Sequence, residues 1–156
     1  MEKYLSILKR KWKVSLILSI IGFVITVIVA VVRADKSVMY GKQEFYWMYC
    51  VMALMIFLVV YAEKRYKRQL KKMQTMSLAD KLVNYDSALI KKTGCYHTIG
   101  ILTLLAEIFT GQIPVLLFGV LAIFLIIINR PGEIKIKFDL NLDNEDTEKF
   151  KYIKFS

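Results

Sequence analysis

Nineteen consecutive residues, Val14 to Val32, carry no charged side chain. A helix needs about 20 mostly apolar residues to cross the hydrocarbon core of a bilayer, so this run has the length of one membrane span. Phe45 to Ala62 adds 18 uncharged residues and opens with aromatic side chains of the kind enriched at membrane interfaces. Because 56% of the chain is hydrophobic and gathered into such blocks, the sequence predicts a membrane protein.

Residues 93–129 form a third apolar block, which contains a single charged residue, Glu107, and is too long for one crossing. Thr110-Gly111 is typical of a helix end, and Pro114 is typical of the first turn of a helix. The block is therefore predicted to divide near Gly111 into two spans.

Two other interpretations of the apolar blocks stay open. Ile108 to Asn129 could be the only span of the third block, with Thr93 to Ala106 interfacial or re-entrant and the C-terminus outside. The first run could be a signal peptide, but the apolar region of a signal peptide is shorter than this one. In addition, the candidate cleavage site at Val32-Arg33-Ala34 contains an arginine. We therefore expect a retained helix.

Lysine and arginine set the predicted orientation, because they accumulate in the cytoplasmic segments beside membrane spans. They are dense before the first run and between the second and third blocks, and sparse in the loop after the first run. The net charge of +10 is then explained by the orientation of the chain in the membrane, and it does not indicate nucleic acid binding. The predicted fold class is an all-α polytopic membrane protein with a basic cytoplasmic N-terminus (1–13), four transmembrane helices (14–32, 45–62, 93–110 and 112–129), a cytoplasmic helical segment (63–92) and a cytoplasmic tail (130–156).

The segment 63–92 is free of glycine and proline, so it is predicted to be helical. Ser77-x-x-Asp80 resembles a capping box, which predicts that a second helix begins there. The apolar seam Leu78, Leu82, Tyr85 and Leu89 would pack that helix against the first. Basic residues on one face are expected to contact anionic lipid headgroups, although positive-inside signalling explains the same charges: Lys64, Arg65, Lys67, Arg68, Lys71 and Lys72.

In the tail, apolar residues alternate strictly with polar ones from Ile134 to Leu142, a pattern that favours a β-strand. A second alternating run, Phe150 to Phe155, would complete a hairpin, which needs a surface to lean on. The tail could add a strand to the sheet of a partner or cap the protein's own cytoplasmic helices.

Small side chains line one stripe of the first span: Ser15, Ser19, Gly22, Thr26 and Ala30. Such stripes let helices approach closely in lipid, so packing within the bundle is the expected role. A substrate groove and a contact between copies of the chain are the alternatives.

The third span contains a polar stripe on which Glu107 shares a side with His97 and Thr103. A carboxylate within a membrane helix is costly, which makes Glu107 a candidate proton or cation site. Because Glu107 stands close to the predicted helix end, it could instead be an interfacial acid or a buried hydrogen-bond partner. A relay between Glu107 and His97 would need water or Thr103.

Enzyme templates are missing from the sequence, which has one histidine, two separated cysteines, no glycine-rich phosphate loop and no metal-ligand cluster. We therefore expect no enzymatic activity, no cofactor and no metal.

The preferred function is an accessory or interaction protein whose partner is another membrane or cytoplasmic protein. The alternative is a small oligomeric proton- or cation-coupled transporter that uses Glu107. A stress or immunity protein that shields the membrane is a third class, which the residues do not separate from the first.

Short motifs in the second half carry a family resemblance: Leu82-x-x-Tyr85-x-x-Ala88-Leu89-Ile90, Phe109-Thr110-Gly111, Asn129-Arg130-Pro131 and Asp139-Leu140. They make this half similar to a group of uncharacterised small membrane proteins from Bacteroidetes-type bacteria. The resemblance implies a protein of a bacterial plasma membrane without a known activity. It also implies a short helix, instead of a strand, after Arg130-Pro131. The group has an acid early in its third span, where this chain has Thr93-Gly94-Cys95-Tyr96-His97, so the role of that acid does not carry over.

Overall fold

The computed structural model describes residues 2–33, 42–110 and 113–142. These ranges form five helices in chain order: α1 (Glu2–Arg33), α2 (Lys42–Met73), α3 (Leu78–Thr110), α4 (Ile113–Ile128) and α5 (Glu133–Leu140). No β-strand occurs within the described ranges. The predicted all-helical class is therefore confirmed.

The turn between α2 and α3 lies where the capping pattern predicts it. α2 continues past its apolar part to Met73, and α3 begins at Leu78. The backbone N–H of Asp80 donates to Ser77 Oγ at 3.3 Å, and the Ser77 hydroxyl donates to the Asp80 carboxylate at 2.7 Å. Ser77 thus satisfies one of the backbone donors that a helix leaves free in its first turn.

The third apolar block divides as predicted. α3 ends at Thr110, and α4 begins at Ile113 with Pro114 in its first turn, where a missing backbone N–H costs nothing. Gly111, the residue expected at the break, lies outside the described residues. α3 runs without interruption from the charged segment into the apolar block, so the second predicted cytoplasmic helix and the third predicted span are one helix.

α3 is central to the bundle, because α1, α2 and α4 all pack against it. Its buried side chains contribute to two hydrophobic cores. One core lies in what we name the apolar half: Met48, Met55, Ala62, Tyr96, Ile99, Ala106, Val115, Ala122 and Ile126. The other lies in what we name the charged half, where α1, α2 and α3 are joined by α5: Tyr4, Leu8, Tyr66, Met73, Leu82, Tyr85, Ala88, Leu89, Ile136 and Leu140. The predicted apolar seam of α3 belongs to this second core.

The tail is helical from Glu133 to Leu140, so of its two predicted conformations the strand from Ile134 onwards is wrong there and the short helix after Arg130-Pro131 is confirmed. Gly132 has an extended backbone at the N-cap, and Asn141 ends the helix in the left-handed region with φ 49°. The backbone N–H groups of Asn141 and Leu142 close the last turn onto carbonyls of α5. The second alternating run, Phe150 to Phe155, lies outside the described residues.

Packing explains why α5 is a helix although its sequence alternates. Ile136 and Leu140 stand one helical turn apart and are buried in the core of the charged half. Ile134 and Phe138 also stand one turn apart, on the opposite side, and each is 85% exposed. A pattern of period two therefore gives a helix two apolar faces, one of which caps the bundle. Of the two alternatives for the tail, the capping one is confirmed.

Two described helices are long and apolar enough to cross a membrane, through Tyr4–Val32 and Tyr46–Met73. α4 is too short by itself, but Pro114–Ile128 and Glu133–Leu140 together give a third candidate, with an 86° bend between them. In the most apolar window of α1 only 6% of the residues are buried inside the protein. Aliphatic side chains cover its outer surface, which suits lipid and not water. These helices support a membrane protein, with two or three candidate spans instead of all four predicted.

Candidate functional site

The polar end of the small-residue stripe of α1 contacts α3. Ser15 Oγ lies 2.6 Å from His97 Nε2, and Ser19 Oγ lies 3.0 Å from His97 Nδ1. A neutral imidazole offers one donor and one acceptor nitrogen, and a hydroxyl can pair with either. The two serines therefore satisfy both ring nitrogens of His97, which joins two of the predicted sets of site residues in one contact.

Ser19, Gly22 and Thr26 of the stripe border a cavity of about 330 Å³ between α1, α3 and α4, whereas Ala30 is not among its lining residues. Thr26 is buried and donates to the Gly22 carbonyl at 2.9 Å, and Ala30 is half-buried. A Cβ at Gly22 would meet no atom within 4 Å, whereas a Cβ at Gly119 would lie 2.7 Å from the Phe23 ring. The closest approach of α1 and α4 therefore depends on Gly119, which the stripe does not include.

Glu107 lies inside the bundle, with 2% of its surface exposed. Its Oε2 atom has no hydrogen-bond partner among the described residues. Thr103 stands one turn away, is buried and donates to the Ile99 carbonyl at 2.9 Å. His97 is ten residues from Glu107, which is about 15 Å along a helix. The structure thus brings His97 and Thr103 to the same 330 Å³ cavity, whereas Glu107 is not among the described residues that line it.

The six basic residues predicted to contact lipid are all exposed on α2. Two of them, Lys67 and Lys71, line a second cavity of about 540 Å³, which is bounded by α2, α3 and α5. The other four are not among its lining residues: Lys64, Arg65, Arg68 and Lys72.

A chain of polar contacts joins α2, α3, α4 and α5 where the two halves of the bundle meet. Lys92 Nζ lies 2.7 Å from Glu63 Oε1 and donates to Asn129 Oδ1 at 3.0 Å. The Tyr96 hydroxyl donates to Glu63 Oε1 at 2.7 Å, and Lys135 Nζ donates to Asn129 Oδ1 at 2.9 Å. We name these five residues the polar belt. They tie four helices at one level, and they give the buried Lys92 ammonium the partners that a buried charge requires.

α1 joins the bundle at the same level through Trp12. Its indole N–H donates to the Ile126 carbonyl near the end of α4 at 2.8 Å. The Arg130 guanidinium lies 5.6 Å from the centre of the Trp12 ring, within the range of a cation–π contact. An amphipathic aromatic side chain in this position is typical of a membrane boundary.

Asp139 anchors α5 to the charged half. Its Oδ2 atom accepts hydrogen bonds from the Tyr66 hydroxyl at 2.7 Å and from the Tyr85 hydroxyl at 3.0 Å. The Lys92 ammonium lies 4.3 Å from the centre of the Tyr66 ring. Burial and the nearby carboxylate raise the pKa of Tyr85 above its ordinary value, so the phenol stays a neutral donor. The predicted tail segment is thus fixed by a specific polar contact.

The polar belt was not among the predicted sites. Its one signal in the sequence is that Glu63 directly follows the second apolar run and Lys92 directly precedes the third block, which places an acid and a base at the same predicted depth. Asn129 stands in the matching position, as the last residue of the third block. Apart from the Asp139-Leu140 pair of the family resemblance, nothing in the sequence pattern marks Lys135 or Asp139, because both are ordinary residues of a charged segment.

No cluster of three or more histidine, cysteine, aspartate or glutamate residues that could hold a metal occurs within the described ranges. Cys50 is exposed and Cys95 is half-buried, and both are free thiols. The arrangement can therefore bind charged groups and bury an acid.

The fold and the polar belt define a helical membrane protein with a separately packed charged half. No family model, no curated protein and no solved structure matches the chain.

Proposed function

We propose that the chain crosses a bacterial plasma membrane four times, with both termini in the cytoplasm. α1 and α2 have the length of spans. The apolar parts of α3 and α4 would cross beside them, because His97 contacts Ser15 and Ser19, and Gly119 approaches Phe23. A helix that contacts the uncharged run of α1 lies at the same depth in the membrane as that run. The charged half then lies in the cytoplasm, where lysine and arginine accumulate.

We further propose that it is an accessory protein that binds another protein through α3. The observation that carries this function is an uncharged stripe on the part of α3 in the charged half, in which Ala79, Val83 and Ile90 are exposed and Ser87 is half-buried. Val83 is 70% exposed and Ile90 is 51% exposed, although the proposed topology surrounds them with water. Apolar side chains at helical spacing, flanked by small residues, suit a docked helix of a partner.

Site-specific photo-crosslinking in native membranes tests this function. A photoreactive phenylalanine analogue at position 83 is expected to capture one protein, and the same analogue at position 91 is expected to capture none. Lys91 is the matched control, because it is exposed on α3 but lies about 80° around the helix from Val83. Capture of the same chain would instead indicate a homo-oligomer. Absence of capture at position 83, with normal expression, would contradict a partner on α3.

A proton- or cation-coupled transporter is the second candidate, and it is favoured by the buried Glu107 with an unpartnered oxygen. A buried carboxyl group inside a membrane helix is a candidate site for a proton or cation. Thr103, one turn along α3 from Glu107, borders the 330 Å³ cavity. Four helices enclose little space between them, so this function would need an oligomer.

The Glu107→Gln substitution separates the two candidates. In proteoliposomes with an imposed pH gradient, a transporter is expected to lose proton-coupled flux in Glu107→Gln and to keep part of it in Glu107→Asp. An accessory protein is expected to fold, and to crosslink at position 83, equally well in both variants. Flux that is identical in the wild type, both variants and empty liposomes would exclude the transporter.

A further inference from the structure

We propose that the 540 Å³ cavity between α2, α3 and α5 binds the phosphate-bearing headgroup of an anionic phospholipid. Four lysines line it: Lys67, Lys71, Lys92 and Lys135. The inference shares the four-span topology with the proposed function, but it requires no protein partner.

The cavity has an excess of positive charge. Of its two acids, Glu63 is paired with Lys92, and Asp139 accepts hydrogen bonds from two phenols through one oxygen. No carboxylate of the described chain lies within 4.0 Å of the ammonium groups of Lys67, Lys71 or Lys135. Three lysines therefore line a shared space without an ion pair within 4.0 Å, although Glu63 lies near Lys67, and Asp139 and Glu63 lie near Lys135. The several oxygens of a phosphate group suit such a space.

The position of the cavity favours a lipid over a soluble phosphate. It lies beside the polar belt, where α4 ends and α5 turns away at 86°, so the proposed topology puts α5 along the membrane surface. Phe138 lines the cavity and is 85% exposed, as is Ile134 one turn away. A headgroup in the cavity would place its glycerol and acyl chains against this apolar face, whereas a free phosphate would leave the face uncovered.

The same arrangement distinguishes a site from general attraction between a basic helix and a membrane. Lys67 and Lys71 line the cavity, but Arg68 and Lys72, each one residue further along α2, do not. Both pairs are exposed, stand four residues apart and carry two positive charges. Nonspecific attraction to an anionic surface would treat the two pairs alike.

The test measures lipid retention by the purified full-length protein. The protein is placed in nanodiscs of phosphatidylcholine and phosphatidylglycerol, extracted in mild detergent, and weighed by native mass spectrometry. Lys67→Gln/Lys71→Gln is expected to lower bound phosphatidylglycerol about thirtyfold, because it removes two cavity-lining charges that contribute roughly 1 kcal/mol each. Arg68→Gln/Lys72→Gln is expected to keep it. Equal losses in both double variants would overturn the site.

A second arm identifies the source of the phosphate. Inorganic phosphate and glycerol 3-phosphate are added in excess during extraction, and Phe138→Ser is compared with the wild type. A lipid site is expected to resist both soluble anions and to lose phosphatidylglycerol in Phe138→Ser. Displacement of the lipid by either anion, with Phe138→Ser unchanged, would overturn the lipid assignment in favour of a soluble phosphate. Because the purified protein is used without a partner, failure of the crosslink at position 83 leaves this result unaffected.

Discussion

The side chains of Glu63 and Lys92 are buried to different extents, and this difference determines which of the two is costlier to remove. Lys92 is 5% exposed and Glu63 is 37% exposed. We predict that Glu63→Gln destabilises the protein by about 3 kcal/mol, because it leaves a buried ammonium without its counter-ion. Lys92→Met is expected to cost about 1 kcal/mol, since water and Tyr96 still solvate the Glu63 carboxylate. Unfolding by denaturant in mixed micelles measures both values, and the reverse order would contradict the pairing.

A second prediction concerns the hydrogen bonds that Asp139 accepts. Asp139→Ala leaves the buried Tyr66 and Tyr85 hydroxyls without an acceptor and is expected to cost about 2 to 4 kcal/mol. Asp139→Asn keeps an acceptor oxygen and is expected to cost about 1 kcal/mol. Adding Tyr66→Phe and Tyr85→Phe to Asp139→Ala removes the stranded donors and is expected to restore most of the loss. Thermal unfolding in detergent shows whether the triple variant recovers.

Single residues were predictable where they contrasted with their surroundings. Glu107 and His97 stand out because each is a polar residue within an apolar run, and the structure places both inside the bundle or at a helix contact. Lys92 and Asp139 resemble their charged neighbours, and their roles depend on ion-pair and hydrogen-bond partners 29 to 73 residues away in sequence. Sequence patterns reflect the residues of one element, so contacts between distant elements escape them.

At the scale of elements, the helices with long apolar runs were predictable and α5 was not. The lengths of the apolar runs predict α1, α2 and α4, and the capping residue Ser77 predicts the start of α3. Alternation in α5 fits a strand and a two-faced helix equally well, because an eight-residue segment is too short for the period to decide. Packing of Ile136 and Leu140 on the charged half decides for the helix.

The contact between α1 and α4 gives a prediction at this scale. Gly119→Ala places a Cβ 2.7 Å from the Phe23 ring, so the ring or the two helices must shift, and we expect a loss of about 1 to 3 kcal/mol. Gly100→Ala is the matched control, because its Cβ meets no atom within 4 Å. Thermal unfolding in detergent is expected to show the loss in the first variant alone. Combining Gly119→Ala with Phe23→Leu is expected to recover stability, and a failure to recover would contradict the close approach.

The two halves of the bundle have surfaces that suit two different solvents, lipid and water. The apolar half shows aliphatic side chains to its surroundings, while the charged half has a polar surface around its own core. Composition predicted the first half well, because lipid imposes long uncharged runs. It did not predict that the N-terminus and α5 would complete the second core, since Tyr4, Leu8, Ile136 and Leu140 belong to segments that are polar on average.

The number of crossings is the last prediction, and it concerns the whole chain. Two substitutions introduce cysteines for labelling: Thr75→Cys, between α2 and α3, and Lys137→Cys, in α5. The helices α3 and α4 separate these two positions along the chain. In a background with Cys50 and Cys95 changed to serine, four spans put both labels on the cytoplasmic side. A membrane-impermeant maleimide is then expected to react with both in inverted vesicles and with neither in intact cells. If α3 and α4 together made one crossing, the two cysteines would react from opposite sides of the membrane. In that case α5 would lie across the membrane from Tyr66 and Tyr85, and the core of the charged half could not form.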